Sequence, residues 1–425
     1  MSVGIDFGTT NSVLALAKSR DDIAVARHGR PRESTNFRSI LCFVKERGAV
    51  RIIAGPEAIA AYLDYGGDCR LIQSVKSMVA NPNFAQTAIF GRRYTIEALI
   101  AELLKALRES AEAVLAPLGN KVTAGRPVRF AGQFVDEELA LRRLGEAFGL
   151  AGFDQVEFVA EPLAAAYQFA RRIQEPKLCV IADFGGGTSD FSLVRFAPGQ
   201  TGLEMETLGA SGIGLAGDRL DYRIIEHVIC PRLGLNTHYV SMNKRLPIPV
   251  HYYARFQRWS DLSFLRAPDV LRELRMLRRM AEEPEALDRL LYIIEEELGF
   301  ELYRAVSSAK ATLSGADRAR LEFRHGPVRI DETISRADFE DWIASDLAKI
   351  RTEIDRLFDE SGVAPGDVDN VFMTGGTSFV PAIRHLMMDY FPGTEFADGD
   401  EFISVGAGLA LYGIEPRQHM FQMNG

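Results

Sequence analysis

The sequence is poor in the features that would mark a secreted, metal-clipped or membrane-bound chain. Its 425 residues contain four cysteines, Cys42, Cys69, Cys179 and Cys230. They lie far apart and form no Cys-x-x-Cys pair, which argues against a disulfide framework and a zinc site. Free thiols suit a reducing compartment. The seven histidines are scattered without metal-ligand spacing. No uncharged apolar run approaches the roughly 20 residues that a membrane-spanning helix needs. The N-terminus runs directly into VGIDFG, so no secretory signal is expected and the simplest placement is cytoplasmic. Positive charge is in deficit, with 49 Lys and Arg against 58 Asp and Glu and a net charge of −9. General nucleic-acid binding, which relies on cations meeting phosphates, is not expected. A Walker-type loop (GxxxxGKS/T) is missing, and no glycine turn is well described as GxGxxG, which argues against a Rossmann dehydrogenase.

What remains is an ordinary globular composition, 47% hydrophobic and 25% charged. The length suggests about two or three domains. Val3–Phe7 reads as a buried strand leading through Gly8-Thr9-Thr10 to a second strand, Ser12–Ala17. Thr95 is placed to cap a helix whose Ile96, Leu99, Ile100, Leu103, Leu104 and Leu107 fall on one face. Strands are expected at Val128–Ala131 and Val156–Ala160, with a helix from about Asp136 to Phe148 between them. A further helix follows Glu161-Pro162. Then the opening pattern restarts: strand Leu178–Ala182, glycine loop Asp183–Thr188, strand Phe191–Phe196. A supersecondary unit that occurs twice suggests two similar lobes facing each other. Val371–Met373 is a strand into Gly375-Gly376, a helix runs from about Pro381 to Tyr390, and Gly406–Tyr412 is a small-residue helix. Residues 244–268 are irregular and aromatic, and 269–313 are strongly helical.

The two repeated loops carry the chemical signal. Glycine lets backbone amides approach a phosphate chain, and successive amides at a turn make an anion-binding nest. Gly8-Thr9-Thr10 and Gly185-Gly186-Gly187-Thr188 both qualify, and each follows a strand-end aspartate, Asp6 or Asp183. Two carboxylates converging from two lobes would orient a hydrated magnesium ion. Gly375-Gly376-Thr377-Ser378 is a third glycine turn at a helix start, where anions are favoured; alone it reads as an ordinary turn.

In this order the residues resemble the DnaK-type heat-shock chaperones, the heat shock protein 70 family. VGIDFGTTNS (3–12) and VIADFGGGTSDFSLV (180–194) look like the two phosphate loops, and VAEPLAAAY (159–167) like a lobe-connecting segment. LAGDRLD (215–221), AKATLS (309–314), MTGGTSFVP (373–381) and DEFISVGAGLAL (400–411) match further segments. The central region 225–300 is not typical; its RLPIP run and aromatic cluster look more like the YegD-type branch of truncated relatives. The resemblance implies an α/β actin-like ATPase (ribonuclease H-like) fold. It would have two lobes, each a mixed sheet flanked by helices, with nucleotide in the cleft between them. Lobe I would comprise 1–172 plus 395–425, with an outer subdomain at about 33–115. Lobe II would comprise 173–394, with an outer subdomain at about 216–345. The family's linker and peptide-binding domain have no counterpart before Gly425, so peptide clamping in the usual way is not expected.

The resemblance further implies ATP or ADP with Mg2+. Asp6, Asp183, Glu161 and Asp190 would hold the metal, mostly through water. Lys76 would reach the γ-phosphate, with Asp6, Glu161, Asp183 and Thr188 as the other catalytic residues. Gly8, Thr9, Thr10, Asn11, Gly185, Gly186, Gly187, Thr188, Gly217 and Asp218 would contact nucleotide. So would Lys310, Ser314, Gly375, Gly376, Thr377, Phe379 and Asp400. The sequence departs from the family where a glutamate and two arginines normally meet the nucleoside: Ser307, Ala311 and Phe379 stand there, and Phe379 could stack on a base instead. The leading expectation is an ATP-binding, ATP-hydrolysing switch with nucleotide and a protein partner or co-chaperone as ligands. The aromatic segment 245–268 is either a partner surface or packed core. A non-hydrolysing nucleotide-sensing scaffold and a filament-forming actin relative are the alternatives; a sugar or acetate kinase would need a catalytic base for which no signature is present.

Overall fold

A computed structural model describes residues 1–29, 34–46, 49–65, 69–128, 130, 135–170, 174–199, 202–257, 259–398 and 404–414. The described chain divides into two compact units. The first comprises Met1–Ala216, Lys349–Ser378 and Ile383–Gly425, the second Gly217–Ala348 and Phe379–Ala382.

The first unit is built on two sheets with one topology. In one, Ser2–Phe7 and Asn11–Ala17 form an antiparallel pair extended by Ile23–Val25, and Lys121–Arg126 and Gln155–Ala160 add in parallel on the other side. In the other, Lys177–Phe184 pairs antiparallel with Ser189–Gly199, which pairs with Gly202–Ile213; Asn370–Thr374 and Glu395–Asp398 add in parallel. The duplication expected from the two Asp-Phe-Gly loops is thus a duplication of whole sheets. The central strands are apolar almost throughout because helices cover them. Ile5, Leu14, Val180, Ile181 and Val371 are fully buried.

Helices close these sheets. Ile96–Glu112 starts where the Thr95 hydroxyl accepts the Ala98 N–H at 3.2 Å, and all six expected apolar positions are buried. Glu137–Leu150 is capped likewise, with the Asp136 carboxylate accepting from Leu139 N–H at 2.9 Å. Each cap satisfies one of the amides that a helix start leaves without a partner. The small-residue helix Ser404–Tyr412 packs tightly on Glu161–Ala170: a Cβ at Gly408 would lie 1.7 Å from the Ala164 carbonyl oxygen. Only glycine permits that approach. Outside these sheets the first unit carries a three-stranded sheet, Ala49–Ala54, Ile40–Glu46 and Cys69–Gln73, and a hairpin, Gln86–Ile89 with Arg92–Thr95.

The second unit contains the helices Gly217–Ile224, Pro268–Met280, Pro284–Glu295 and Gly299–Gly315, and two hairpins. One hairpin joins His238–Ser241 to Lys244–Pro247, and its second strand falls in the stretch 244–268 read from sequence as irregular; its turn residues Met242 and Asn243 both have positive φ. The other joins Arg318–His325 to Val328–Ser335. Tyr252, Tyr253 and Phe256 are buried, so these aromatics of the 245–268 segment are packed core, and only Phe264 is largely exposed among those described. Of the strand expected at Val128–Ala131, residues 129 and 131 lie outside the described residues; the described strand just before it is Lys121–Arg126.

The four cysteines carry no disulfide and all are buried. Burial pushes the thiols of Cys42 and Cys179 up to about 12, and that of Cys230 higher still. No helix among the described residues is long and apolar enough to cross a membrane.

Candidate phosphate and metal site

Within the first unit, four acidic side chains and one lysine gather at the strand ends. Asp6 closes Ser2–Phe7, and Asp183 closes the matching strand of the duplicate sheet. Asp190 stands directly across the hairpin from Asp183. Glu161 opens the helix Glu161–Ala170, and Lys76 comes from a four-residue 3-10 helix, Val75–Met78. The Lys76 ammonium donates to Glu161 Oε1 at 2.7 Å, with both side chains about nine-tenths buried (8% and 10% exposed). The sequence alone would leave Lys76 on a solvated surface; the structure buries it.

The electrostatics follow from one cation among four acids. Burial raises the Asp6 carboxyl well above its ordinary range, and the charges of Glu161 and Asp183 raise it further against the pull of Lys76. Asp183 is lifted to about 6 by burial first and Glu161 second, while a hydrogen bond from Thr374 and the charge of Lys76 hold it down. Asp190 is raised well above its ordinary range by burial, then by Glu161 and Asp183. Burial pulls the Lys76 ammonium down, but Glu161, Asp6 and Asp190 more than offset it, so its pKa ends above normal. Desolvation and like charge act together here, a combination that clusters at functional sites.

The loops pack against one another. The Gly185 N–H donates to the Thr188 carbonyl at 2.9 Å, closing the second loop. A Cβ on Gly187 would lie 3.8 Å from Thr9 Oγ1, so the two glycine loops are neighbours. A Cβ on Gly8 would lie 2.1 Å from the Asn11 carbonyl oxygen. Asn11 Oδ1 itself accepts from Arg38 at 3.1 Å. The third turn is stitched to the second: Thr377 Oγ1 donates to the Gly185 carbonyl at 2.8 Å, and Thr374 Oγ1 to Asp183 Oδ1 at 2.7 Å. Thr374 had no sequence signal; the parallel register that sets it beside Asp183 links strands 191 residues apart. Gly375 has φ +82°, and a Cβ there would sit 2.2 Å from the Phe184 carbonyl oxygen. Gly375→Ala is therefore expected to cost about 2–4 kcal/mol of stability, from left-handed strain plus a backbone clash. Denaturant unfolding checks this, and a loss under about 1 kcal/mol would mean that the turn relaxes freely.

The remaining expected contacts lie in the second unit. Lys310 donates to the Gly217 carbonyl at 3.0 Å and pairs with Asp221 at 3.0 Å. It thereby ties the helix Gly299–Gly315 to the start of Gly217–Ile224, where Asp218 sits. The Ser314 hydroxyl bonds back to the Lys310 carbonyl, and Phe379 is partly exposed at 41%. Asp400 lies outside the described residues.

The buried acids offer unpartnered oxygens that fit a hydrated cation. Asp6 Oδ1 is buried and accepts no hydrogen bond. Neither oxygen of Asp190 has a well-formed one, although Thr188 is close enough to lower its pKa. Among the described residues no three His, Cys, Asp or Glu side chains are grouped to ligate a metal directly. Two sheets of one strand-loop-strand topology bring two strand-end aspartates and two glycine loops together in a duplicated α/β unit.

The family model for Hsp70 protein matches residues 70–233 and 295–418, more than half of the chain, and the chain belongs to the Hsp70 family. It is an ATP-binding, chaperone-related protein with the actin-like ATPase fold, and mixed sheets flanked by helices are what that fold requires. The family binds ATP and ADP, typically with Mg2+, and works with co-chaperones. Residues 234–294, which carry the first hairpin, the helix Pro268–Met280 and all but the last residue of Pro284–Glu295, lie between the matched segments.

Proposed function

We propose that this chain is a Mg2+-dependent ATP-hydrolysing switch, with nucleotide held where the two lobes expected from the sequence meet. The observation that carries this reading is the gathering of Lys76, Asp6, Glu161, Asp183 and Asp190 beside two adjoining glycine loops. When bound, Mg2+ would supply positive charge that stabilises the phosphoryl group during transfer. Asp6, Asp183, Asp190 and Glu161 would hold it through its waters, since Mg2+ keeps most of its hydration shell. The amides of the 8–10 loop and of Gly186, Gly187 and Thr188 would bind phosphate oxygens, with Thr9, Thr10, Thr377 and Thr188 hydroxyls beside them. Lys76 supplies a fixed positive charge toward the terminal phosphate and is kept protonated by its acidic neighbours. Glu161, oriented by Lys76, accepts a hydrogen bond from an attacking water. Phosphoryl transfer needs mainly this positioning and charge, with little covalent work from the protein. On the family resemblance, Lys310, Ser314, Gly217, Asp218, Gly376, Phe379 and Asp400 would contact the nucleoside. The unmatched segment 234–294, with its RLPIP run, supports a place in the YegD-type branch.

Calorimetry with ATP, ADP and GTP, with and without Mg2+, beside phosphate release from Mg-ATP, tests this. Tighter binding with Mg2+ and slow phosphate release, both lost in Asp183→Ala, is the expected result. Binding without release favours the nucleotide-sensing scaffold, and no binding to any nucleotide overturns the site.

A further inference from the structure

Lys76 sits on a short and intrinsically weak support. Its 3-10 helix has four residues and begins after Ser74, whose backbone is left-handed at φ 55°. A single turn of this kind has little cooperativity of its own, so its place is set by what anchors its ends. The strand Cys69–Gln73 holds the near end. At the far end the chain turns through Val79, Ala80 and Asn81, and three consecutive carbonyls are taken by the helix Glu137–Leu150 and its N-cap residue Asp136. Arg143 Nη1 donates to Val79 O at 2.9 Å and to Asn81 O at 3.0 Å, and the Asp136 N–H donates to Ala80 O at 3.0 Å. The turn is tied back to the lysine by Val79 N–H donating to the Lys76 carbonyl at 3.2 Å.

Arg143 is 5% exposed, and its Nε lies 3.1 Å from Glu97 Oε1 in the first turn of Ile96–Glu112. Burying a guanidinium is costly unless its donors are used. Here they are spent on a loop and one carboxylate. We infer that Arg143, oriented by Glu97, is the positioning residue of Lys76, fixing the turn that sets the lysine against Glu161. It touches neither phosphate nor metal. The role suits arginine because a planar fork can meet two carbonyls and a carboxylate at once, whereas an ammonium cannot span them.

The inference rests on the role given to Lys76 above, so its test has an arm that does not depend on turnover. Lys76 in the whole protein is acetylated with a limiting amine reagent and quantified by mass spectrometry, with an exposed lysine as reference. Arg143→Lys is expected to raise Lys76 labelling by about tenfold, as a local opening would. Phosphate release should fall by about tenfold in kcat, with KM for Mg-ATP within about twofold, because displaced charge harms the reacting geometry more than binding. In a Lys76→Ala background the same change should produce no further fall, since residues acting through one group are non-additive. Glu97→Gln keeps the carbonyl bonds and should give the same pattern at smaller amplitude, which keeps the test open if Arg143→Lys folds poorly. Unchanged Lys76 labelling overturns the inference, as does an equal loss of turnover in both backgrounds. If the unaltered protein releases no phosphate, hydrolysis is refuted and the labelling ratio alone decides the clamp.

Discussion

Lys76→Met is expected to lower phosphate release from Mg-ATP by about 10²–10³-fold, the range for losing one preorganised charge in a water-poor site. The same substitution should destabilise the free protein by about 3–5 kcal/mol, because it strands buried acid without its cation. Glu161→Gln should behave differently although it breaks the same ion pair. Glu161 raises the pKa of Asp6, Asp183 and Asp190 alike. Its removal therefore relieves repulsion on three neighbours while Lys76 keeps two other carboxylates nearby. The stability loss for Glu161→Gln should be about 1 kcal/mol or less, against the several for Lys76→Met. Thermal and urea unfolding of both variants decide the matter; equal losses would mean that the pair acts alone and the cluster is not one electrostatic unit.

The metal-free, nucleotide-free protein should be more stable at mildly acid pH than its acidic surface alone would suggest. Asp183 titrates near 6 when folded and near 3.8 when unfolded. Between those values the folded state holds more protons, so stability is fully present below about pH 4 and is lost as pH rises through about 6. Two units correspond to about 3 kcal/mol, and the raised pKa values of Asp6 and Asp190 add in the same direction. Asp183→Asn removes the term. It should flatten the stability profile between pH 4 and 7 and raise the melting temperature at pH 8, while abolishing Mg-ATP hydrolysis. Added Mg2+ at pH 8 should stabilise the unaltered protein more than the variant. A variant whose pH profile superimposes on the original would show that Asp183 is ionised at no cost in the fold.

The parts of the structure written in short-range pattern were legible in the sequence. The two strand-loop-strand units, the Thr95 cap and the helix Pro381–Tyr390 each follow from a few neighbouring residues. Asp6 and Asp183 were legible because glycine loops follow them at strand ends. Lys76 was reachable only through the family resemblance, since nothing in SVKSMV distinguishes it from a surface lysine; its burial is imposed by Glu161, 85 residues away. Arg143 gave no signal either, because Arg142 and Arg143 are adjacent and only the folded helix decides which faces inward. The hairpin at 238–247 was hidden for another reason. Its two-residue turn uses Met242 and Asn243 at positive φ, without the glycine that usually announces such turns. By contrast, Ala319, Leu321 and Phe323 alternate with exposed charges over Arg318–His325, a period-two pattern that motif-led reading passes over.

The cysteines make the protein convenient for optical work. A thiol reacts as its thiolate, and all four native thiols are buried, with those of Cys42, Cys179 and Cys230 held far above working pH. A fluorophore maleimide should therefore ignore the native chain and couple only where a new cysteine is introduced. Met242, 94% exposed on a hairpin tip of the second unit, and Leu150, 57% exposed in the first, are sites where a donor and an acceptor dye could be attached without first removing the natural cysteines. Energy transfer between them would then report, one molecule at a time, whether nucleotide draws the two units together.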